Sequence, residues 1–291
     1  MDLRARSWPP QVAYVLGGGG LLGAAEVGML RGLTDAGVVP DVVLGTSIGA
    51  INGAVFAAYP GVEAVDRLNR LWTSEATSTV FGASAWQRMG TLARSWTHAH
   101  PVEPLRDLLA EQLDGLVIED LPLPFQCVAA SIERAAEHWF TEGPVVEALL
   151  ASSAVPGLLP PARVGGEHFL DGGLVHSIPL GRAVALGART IYVLQVGRIE
   201  RPLQVPRRPW EVAAVSFEIA RRHRFATELA DAPEDVAVHI LPTGDPEPPR
   251  YADTSALKYR DTSRVSERIE MAAAATAEYL ADVAVTVEGS R

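Results

Sequence analysis

A single cysteine, Cys127, occurs in the 291 residues, so no intrachain disulfide can form. That scarcity suits a reducing compartment. Basic residues are in deficit: 25 Lys and Arg against 35 Asp and Glu leave a formal net charge of −10. A nucleic-acid partner needs a basic surface, and this balance argues against one. No apolar run reaches the roughly 18 residues of a membrane span. Met1–Pro10 carries arginines but no apolar stretch before Val12, so it does not read as a secretory signal. The expected location is the cytoplasm, with peripheral contact at a membrane surface as a further option. The one dense basic cluster is Arg221, Arg222, His223 and Arg224. It reads either as a solvated helix face or as a contact for anionic lipid headgroups. No internal repeat is visible, and nothing signals an oligomeric state.

What is present is an ordinary globular balance, 48% apolar and 21% charged, in a chain long enough to bury a substantial core. Val12–Leu16 is a short apolar run closed by four glycines and reads as a buried strand. Leu22–Ala36 has helical apolar spacing and stops at Gly37. Asp41–Leu44 reads as a second strand, and Ala50–Tyr59 as a buried helix of small residues. Strand, helix, strand, helix implies an α/β fold with a parallel sheet. Further on, hairpins are expected at Phe125–Ser131 with Glu137–Thr141, and around Gly165–Gly166. Helices are expected at Val62–Trp72, Leu105–Leu113, Val145–Ser152, Ile178–Leu186, Trp210–Ala230 and Asp261–Ala281. Thr190–Val196 and Val236–Leu241 read as strands, and Arg201–Pro209 as a loop inside one continuous fold. Thr73–His100, with Trp86, Met89 and Trp96, has no clear periodicity; a lid or apolar pocket and plain core packing are both open.

Two glycine-rich turns carry the chemistry. Gly17-Gly18-Gly19-Gly20 follows a strand and opens a helix, so its amides can converge on an anion. Gly18, Gly20 and Gly23 fit a dinucleotide fingerprint in form. The acid that fingerprint needs is misplaced, because Asp41 precedes the second strand. No Gly-Lys-Ser/Thr follows, which excludes a P-loop. The oxyanion of an acyl-transfer intermediate is the remaining functional ligand; a purely structural turn is the plain alternative. Gly45-Thr46-Ser47-Ile48-Gly49 matches the G-x-S-x-G nucleophile turn, between an apolar strand and a small-residue helix. A helix-capping serine is its plain reading.

A serine nucleophile needs a base. Of the seven histidines, His98, His100, His138, His168, His223 and His239 are poorly placed in the order of elements. His176, just after Asp171, stays open. Asp171-Gly172-Gly173 can present a carboxylate into a cleft, or be a mere turn.

Taken together, the Gly17–Gly23 loop, the Gly45–Gly49 turn, the Ser152-Ser153-Ala154-Val155-Pro156 segment and Asp171-Gly172-Gly173 resemble the patatin-like phospholipase family in its bacterial form. The resemblance covers about Val12 to Val184. It implies a three-layer α/β/α fold with a mainly parallel central sheet, an acyl-hydrolase domain over residues 12–184, and a continuation of the same fold over residues 185–291. It implies Ser47 as nucleophile and Asp171 as general base, with the amides of Gly18, Gly19, Gly20 and Ile48 as oxyanion donors. Gly17, Gly23, Gly45, Gly49, Gly172 and Gly173 support these turns. It implies a lipid or acyl ester substrate, with no metal and no cofactor. One departure stands out: Leu22 occupies the place where members typically show a basic residue. That loss of charge points toward a neutral acyl ester or thioester. A catalytically silent lipid- or acyl-binding module on the same scaffold is the alternative function.

Overall fold

The computed structural model describes residues 8–75, 77, 98–196, 202–245 and 262–289. In chain order its strands are β1 Val12–Leu16, β2 Val42–Thr46, β3 Phe125–Ser131, β4 Ala136–Phe140, β5 Ala162–Val164, β6 Glu167–Asp171, β7 Thr190–Leu194 and β8 Ala237–Ile240. Its helices are α1 Ala24–Asp35, α2 Ile48–Ala58, α3 Val62–Thr73, α4 Glu103–Leu113, α5 Val145–Ser152, α6 Gly173–His176, α7 Leu180–Ala185, α8 Pro209–Ala230 and α9 Thr262–Gly289.

All eight strands join one sheet. β3, β2, β1, β7 and β8 run parallel, while β4, β5 and β6 add antiparallel pairs on one side. The side chains of β1 alternate between two cores, as the two-residue period of a strand requires. Tyr14 and Leu16 join a core with α1, α2, α3 and α9. Ala13 and Val15 join another with Leu180 and Ala183 of α7 and Phe225 of α8. Helices therefore cover both faces, giving three α/β/α layers around a mainly parallel sheet. β7 and β8 extend that same sheet beyond Val184.

Several boundaries differ from the periodicity; the last helix, for one, runs to Gly289 rather than Ala281. The first helix begins at Ala24 rather than Leu22, because Gly20–Gly23 forms a tighter 3₁₀ turn. Gly23 is held there by Ile48 and Trp72, which leave no room for a Cβ. The segment expected to be helical from Ile178 starts at Leu180, with Pro179 at its cap. A one-turn helix, α6, follows Asp171, where Asp171-Gly172-Gly173 also reads as a plain turn.

The register of β3 positions the site. β4 pairs with Cys127–Ser131 along one edge of β3. The other edge is shared: β2 pairs with Phe125–Val128, and β6 with Ala129–Ser131. β2 runs parallel to β3 and β6 antiparallel, so their C-terminal ends meet head-on. Thr46 lies opposite Val128 and Asp171 opposite Ala129. Residues 47 and 171, far apart in sequence, thus emerge at one point of the sheet.

Candidate active site

β2 ends at Thr46 and α2 begins at Ile48, leaving Ser47 alone to turn the chain. Its φ of 55° with ψ of −122° lies outside the regions an L-residue ordinarily occupies. Such a conformation costs roughly 1–3 kcal/mol and persists only where its surroundings enforce it. Here they do. A Cβ on Gly45 would stand 2.4 Å from the Ala50 Cα, and one on Gly49 2.5 Å from the Leu16 carbonyl oxygen. Strand and helix pack backbone to backbone on both sides of the serine. The Ser47 N–H donates to Ser152 Oγ at 2.9 Å, and the Thr46 hydroxyl donates to the His176 carbonyl at 2.7 Å.

Ser47 Oγ donates to Asp171 Oδ2 at 2.6 Å. The second carboxylate oxygen accepts from the Gly173 N–H at 2.7 Å, which fixes the rotation of the carboxylate. The Asp171 N–H donates to the Ala154 carbonyl at 2.9 Å, and the Gly172 N–H to the Ser152 carbonyl at 3.1 Å. A Cβ on Gly172 would meet the Val128 carbonyl oxygen at 2.1 Å. Asp171 is 5% exposed and Ser47 8%. Burial raises the Asp171 carboxyl from its ordinary value to about 6, against the hydrogen bonds from Ser47 and Gly173, which pull it down. The result is a carboxylate ionised at neutral pH yet more basic than one in water.

The glycine loop lies against this pair. A Cβ on Gly18 would be 3.6 Å from Ser47 Cβ. The Gly18 amide is not available to an anion, however, since it donates to the Ser177 carbonyl at 2.7 Å. The Gly17 amide likewise donates to the Leu194 carbonyl at 2.9 Å. Gly18 is therefore corrected from an oxyanion donor to a spacer that brings the loop close to Ser47. Gly19 and Gly20 stand at the start of the 3₁₀ turn, where N–H groups have no partner within the turn. Gly20 has a φ of 56°, which favours glycine. Ile48 holds the first position of the eleven-residue α2, with the same freedom and the positive end of the helix dipole.

No described histidine hydrogen-bonds Ser47 or Asp171. The His176 ring points to Glu137 and Arg224 through Nε2, and its Nδ1 lies 3.1 Å from Glu228 Oε1. His138 contacts Arg134, His168 contacts Glu133, and His239 contacts Tyr279. The basic cluster on α8 is largely compensated. Arg221 and Arg222 both hold Glu218, and Arg224 holds Glu228. The expected solvated face is only partial, since the Arg221 side chain is 8% exposed. Most of Thr73–His100 falls outside the described residues. Among the described residues no group of three or more His, Cys, Asp or Glu could hold a metal, and no helix is long and apolar enough to cross a membrane.

Leu22 packs at the edge of the core and lines a small cavity with Ala25, Val196, Thr243, Asp245 and Arg268. Residue-by-residue reading of the motifs missed the role of Ser152. Its hydroxyl holds the Ser47 backbone and its carbonyl holds the residue after Asp171. The only hint was a pair of serines at a helix end before Pro156.

A family model described as Patatin-like phospholipase matches residues 14–184. The chain is 33% identical over 199 residues to the patatin-like phospholipase domain-containing protein ZK370.4 of Caenorhabditis elegans, covering 65% of this chain and 14% of that protein. It is 30% identical over 188 residues to patatin-like phospholipase domain-containing protein 7 of Rattus norvegicus, covering 64% and 14%. It is 31% identical over 192 residues to lysophospholipase nte1 of Neurospora crassa, covering 65% and 12%. The chain thus spans only 12–14% of the length of these curated relatives.

Proposed function

The chain belongs to the patatin-like phospholipase family, and we propose that it is a serine-dependent hydrolase cleaving carboxylic esters of lipids through an acyl-enzyme. The observation that carries the reading is the 2.6 Å hydrogen bond from Ser47 Oγ to Asp171 Oδ2 in a buried site. The names of the relatives, phospholipase and lysophospholipase, support the substrate class.

In the proposed cycle Asp171 takes the Ser47 proton as Oγ attacks the ester carbonyl carbon. The carbonyl oxygen gains negative charge in the tetrahedral intermediate and is met by the amides of Gly19, Gly20 and Ile48. One such donor is worth roughly 3–4 kcal/mol of transition-state stabilisation. The intermediate collapses, the carbon–oxygen bond to the alcohol breaks, and the departing oxygen takes the proton from Asp171, so that the alcohol leaves and Asp171 is again ionised. Water then gives its proton to Asp171 and attacks the acyl-enzyme. Collapse of this second intermediate releases the fatty acid and returns the proton to Ser47. Gly173 keeps the carboxylate aimed through both halves. We read residues 185–291 as a continuation of the 12–184 unit, a reading supported by β7 and β8 in the common sheet. Leu22 leaves its place in the motif uncharged, which supports neutral acyl esters or thioesters over anionic phospholipids as preferred substrates.

Hydrolysis of a p-nitrophenyl acyl ester tests the assignment. Ser47→Ala and Asp171→Asn are each expected to lower kcat by on the order of 10³-fold or more, as for other nucleophile and base deletions. Full activity in either folded variant contradicts the role given to that residue. A folded wild-type chain that binds lipid without hydrolysing any ester turns the reading to a silent binding module.

A further inference from the structure

Behind the glycine loop lies a second buried carboxyl that the proposed cycle does not use. Glu26, in the first turn of α1, has no exposed surface. Its Oε2 accepts from Asn52 Nδ2 at 2.8 Å and the Gly17 backbone acts on the same carboxyl, while Oε1 makes no hydrogen bond of ordinary geometry among the described residues. The Asn52 amide is fully committed. Nδ2 also donates to the Gly23 carbonyl at 3.0 Å, and Oδ1 accepts from the Trp72 indole N–H at 3.0 Å. A carbonyl only accepts and an indole N–H only donates, so the orientation of the amide is settled by its partners.

The network joins the elements that carry the proposed oxyanion donors. Gly23 closes the 3₁₀ turn that begins with Gly20. Asn52 sits on α2 four residues after Ile48, one turn below it on the same face. The two elements also touch directly: a Cβ on Gly23 would lie 2.6 Å from Ile48 Cγ1 and 3.0 Å from Trp72 Cζ2. Packing presses the arms together, and the polar network fixes their separation. A carboxyl buried with one oxygen short of an ordinary hydrogen bond destabilises the fold by its desolvation. Stability alone favours an apolar side chain here. Departures from that preference concentrate where function needs a fixed geometry.

We infer that Glu26, Asn52 and Trp72 form a positioning clamp that sets the gap between the Gly19–Gly20 amides and the Ile48 amide. The inference rests on the hydrolase reading and deepens it, because the clamp acts on the hole and touches no reacting atom. Glu26 supplies the acceptor that holds the second Asn52 N–H. Without it one buried Asn52 N–H has no acceptor, and the amide shifts to find one, which loosens its hold on the Gly23 carbonyl. An error of a few tenths of an ångström weakens bonds to the transition state more than bonds to the bound ester.

The test uses the full chain with p-nitrophenyl acyl ester turnover, capture of Ser47 by a neutral fluorophosphonate, and thermal unfolding. Glu26→Met matches the side chain in size and removes the acceptor. It is expected to lower kcat and the capture rate about 10- to 100-fold, leave KM within about threefold, and unfold close to wild type, because loss of the buried carboxyl offsets the unpaired Asn52 N–H. Glu26→Gln keeps an oxygen for Asn52 and is expected to recover most of the loss. Trp72→Phe keeps the ring, removes only the indole donor, and is expected to lower kcat about fivefold. It carries the test if Glu26→Met does not fold. Wild-type kcat in Glu26→Met overturns the clamp. So does a loss of activity matched by earlier unfolding and not relieved in Glu26→Gln. A wild-type chain that neither turns over the ester nor captures the probe defeats the hydrolase reading and the clamp together.

Discussion

Asp171 and Glu26 make a useful pair. Each is a buried carboxyl next to the glycine loop, and desolvation raises each above the ordinary carboxylate range. Their surroundings then diverge. Both oxygens of Asp171 are engaged, one by the Ser47 hydroxyl and one by the Gly173 amide. Glu26 holds one side-chain amide and leaves its other oxygen without a hydrogen bond of ordinary geometry. Burial alone shifts a proton equilibrium; in the proposed cycle it is the hydroxyl on the far side of the hydrogen bond that gives Asp171 a proton to take. The difference also lies in the backbone. Asp171 ends a strand whose register is fixed by β3, whereas Glu26 sits inside a helix with its side chain turned into the core.

The sharpest way to break this pairing is to neutralise each group in turn. Asp171→Asn is expected to lower kcat on an acyl ester by on the order of 10³-fold, and Glu26→Gln by less than about tenfold. Equal losses in the two variants would erase the distinction. The pH profile comes next. The proposed cycle needs the ionised Asp171, so kcat/KM is expected to rise about tenfold per pH unit below about 6 and level off above it. A profile flat from pH 5 to 8 contradicts the assignment. Removing the Ser152 hydroxyl leaves the Ser47 N–H without its acceptor at a strained turn. Ser152→Ala is expected to lower kcat about tenfold with a folded chain, as measured by turnover beside circular dichroism.

Stability gives a smaller and opposite signal. The folded-state value of Asp171, about 6, lies above the ordinary 3.8. The protonated form therefore favours folding, an advantage complete below about pH 4 and lost as pH rises through about 6. Asp171→Asn keeps the group neutral at every pH. It is expected to stabilise the chain by about 1–3 kcal/mol at pH 8 and by little at pH 4, checked by denaturant titration at both. Least of all, Leu22→Arg is expected to shift the ratio of kcat/KM for anionic phospholipid over neutral ester upward by about threefold. A ratio unchanged in that variant separates Leu22 from substrate choice.

Local features of the fold were readable in advance where a single element decides them. The Val12–Leu16 run is β1, and Val145–Ser152 is α5. The turn at Ser47 was legible for the same reason, since strand, serine and helix are contiguous. Asp171 was not legible from its own surroundings, where Asp-Gly-Gly reads as readily as a plain turn. Its meeting with Ser47 spans 124 positions and depends on β2 and β6 sharing one edge of β3. No periodicity records that arrangement; only the ordered set of motifs pointed to it. The Gly18 amide was misread because a glycine run does not reveal which of its N–H groups the fold uses itself. Ser177 and Leu194, far along the chain, take the first two. Glu26 escaped notice because a glutamate in the first helical turn is ordinary for a helix start. Its burial is set by α2 and α3, which supply Asn52 and Trp72.

The most direct measurement is the rate at which a neutral fluorophosphonate modifies the wild-type chain and Asp171→Asn across pH 4.5 to 8.5, with the modified residue located by mass spectrometry. The account predicts an adduct on Ser47, a rate that rises with one ionisation near pH 6, and a rate at least about 100-fold lower and pH-independent in the variant. Modification of another residue, or a wild-type titration that survives unchanged in Asp171→Asn, would contradict it.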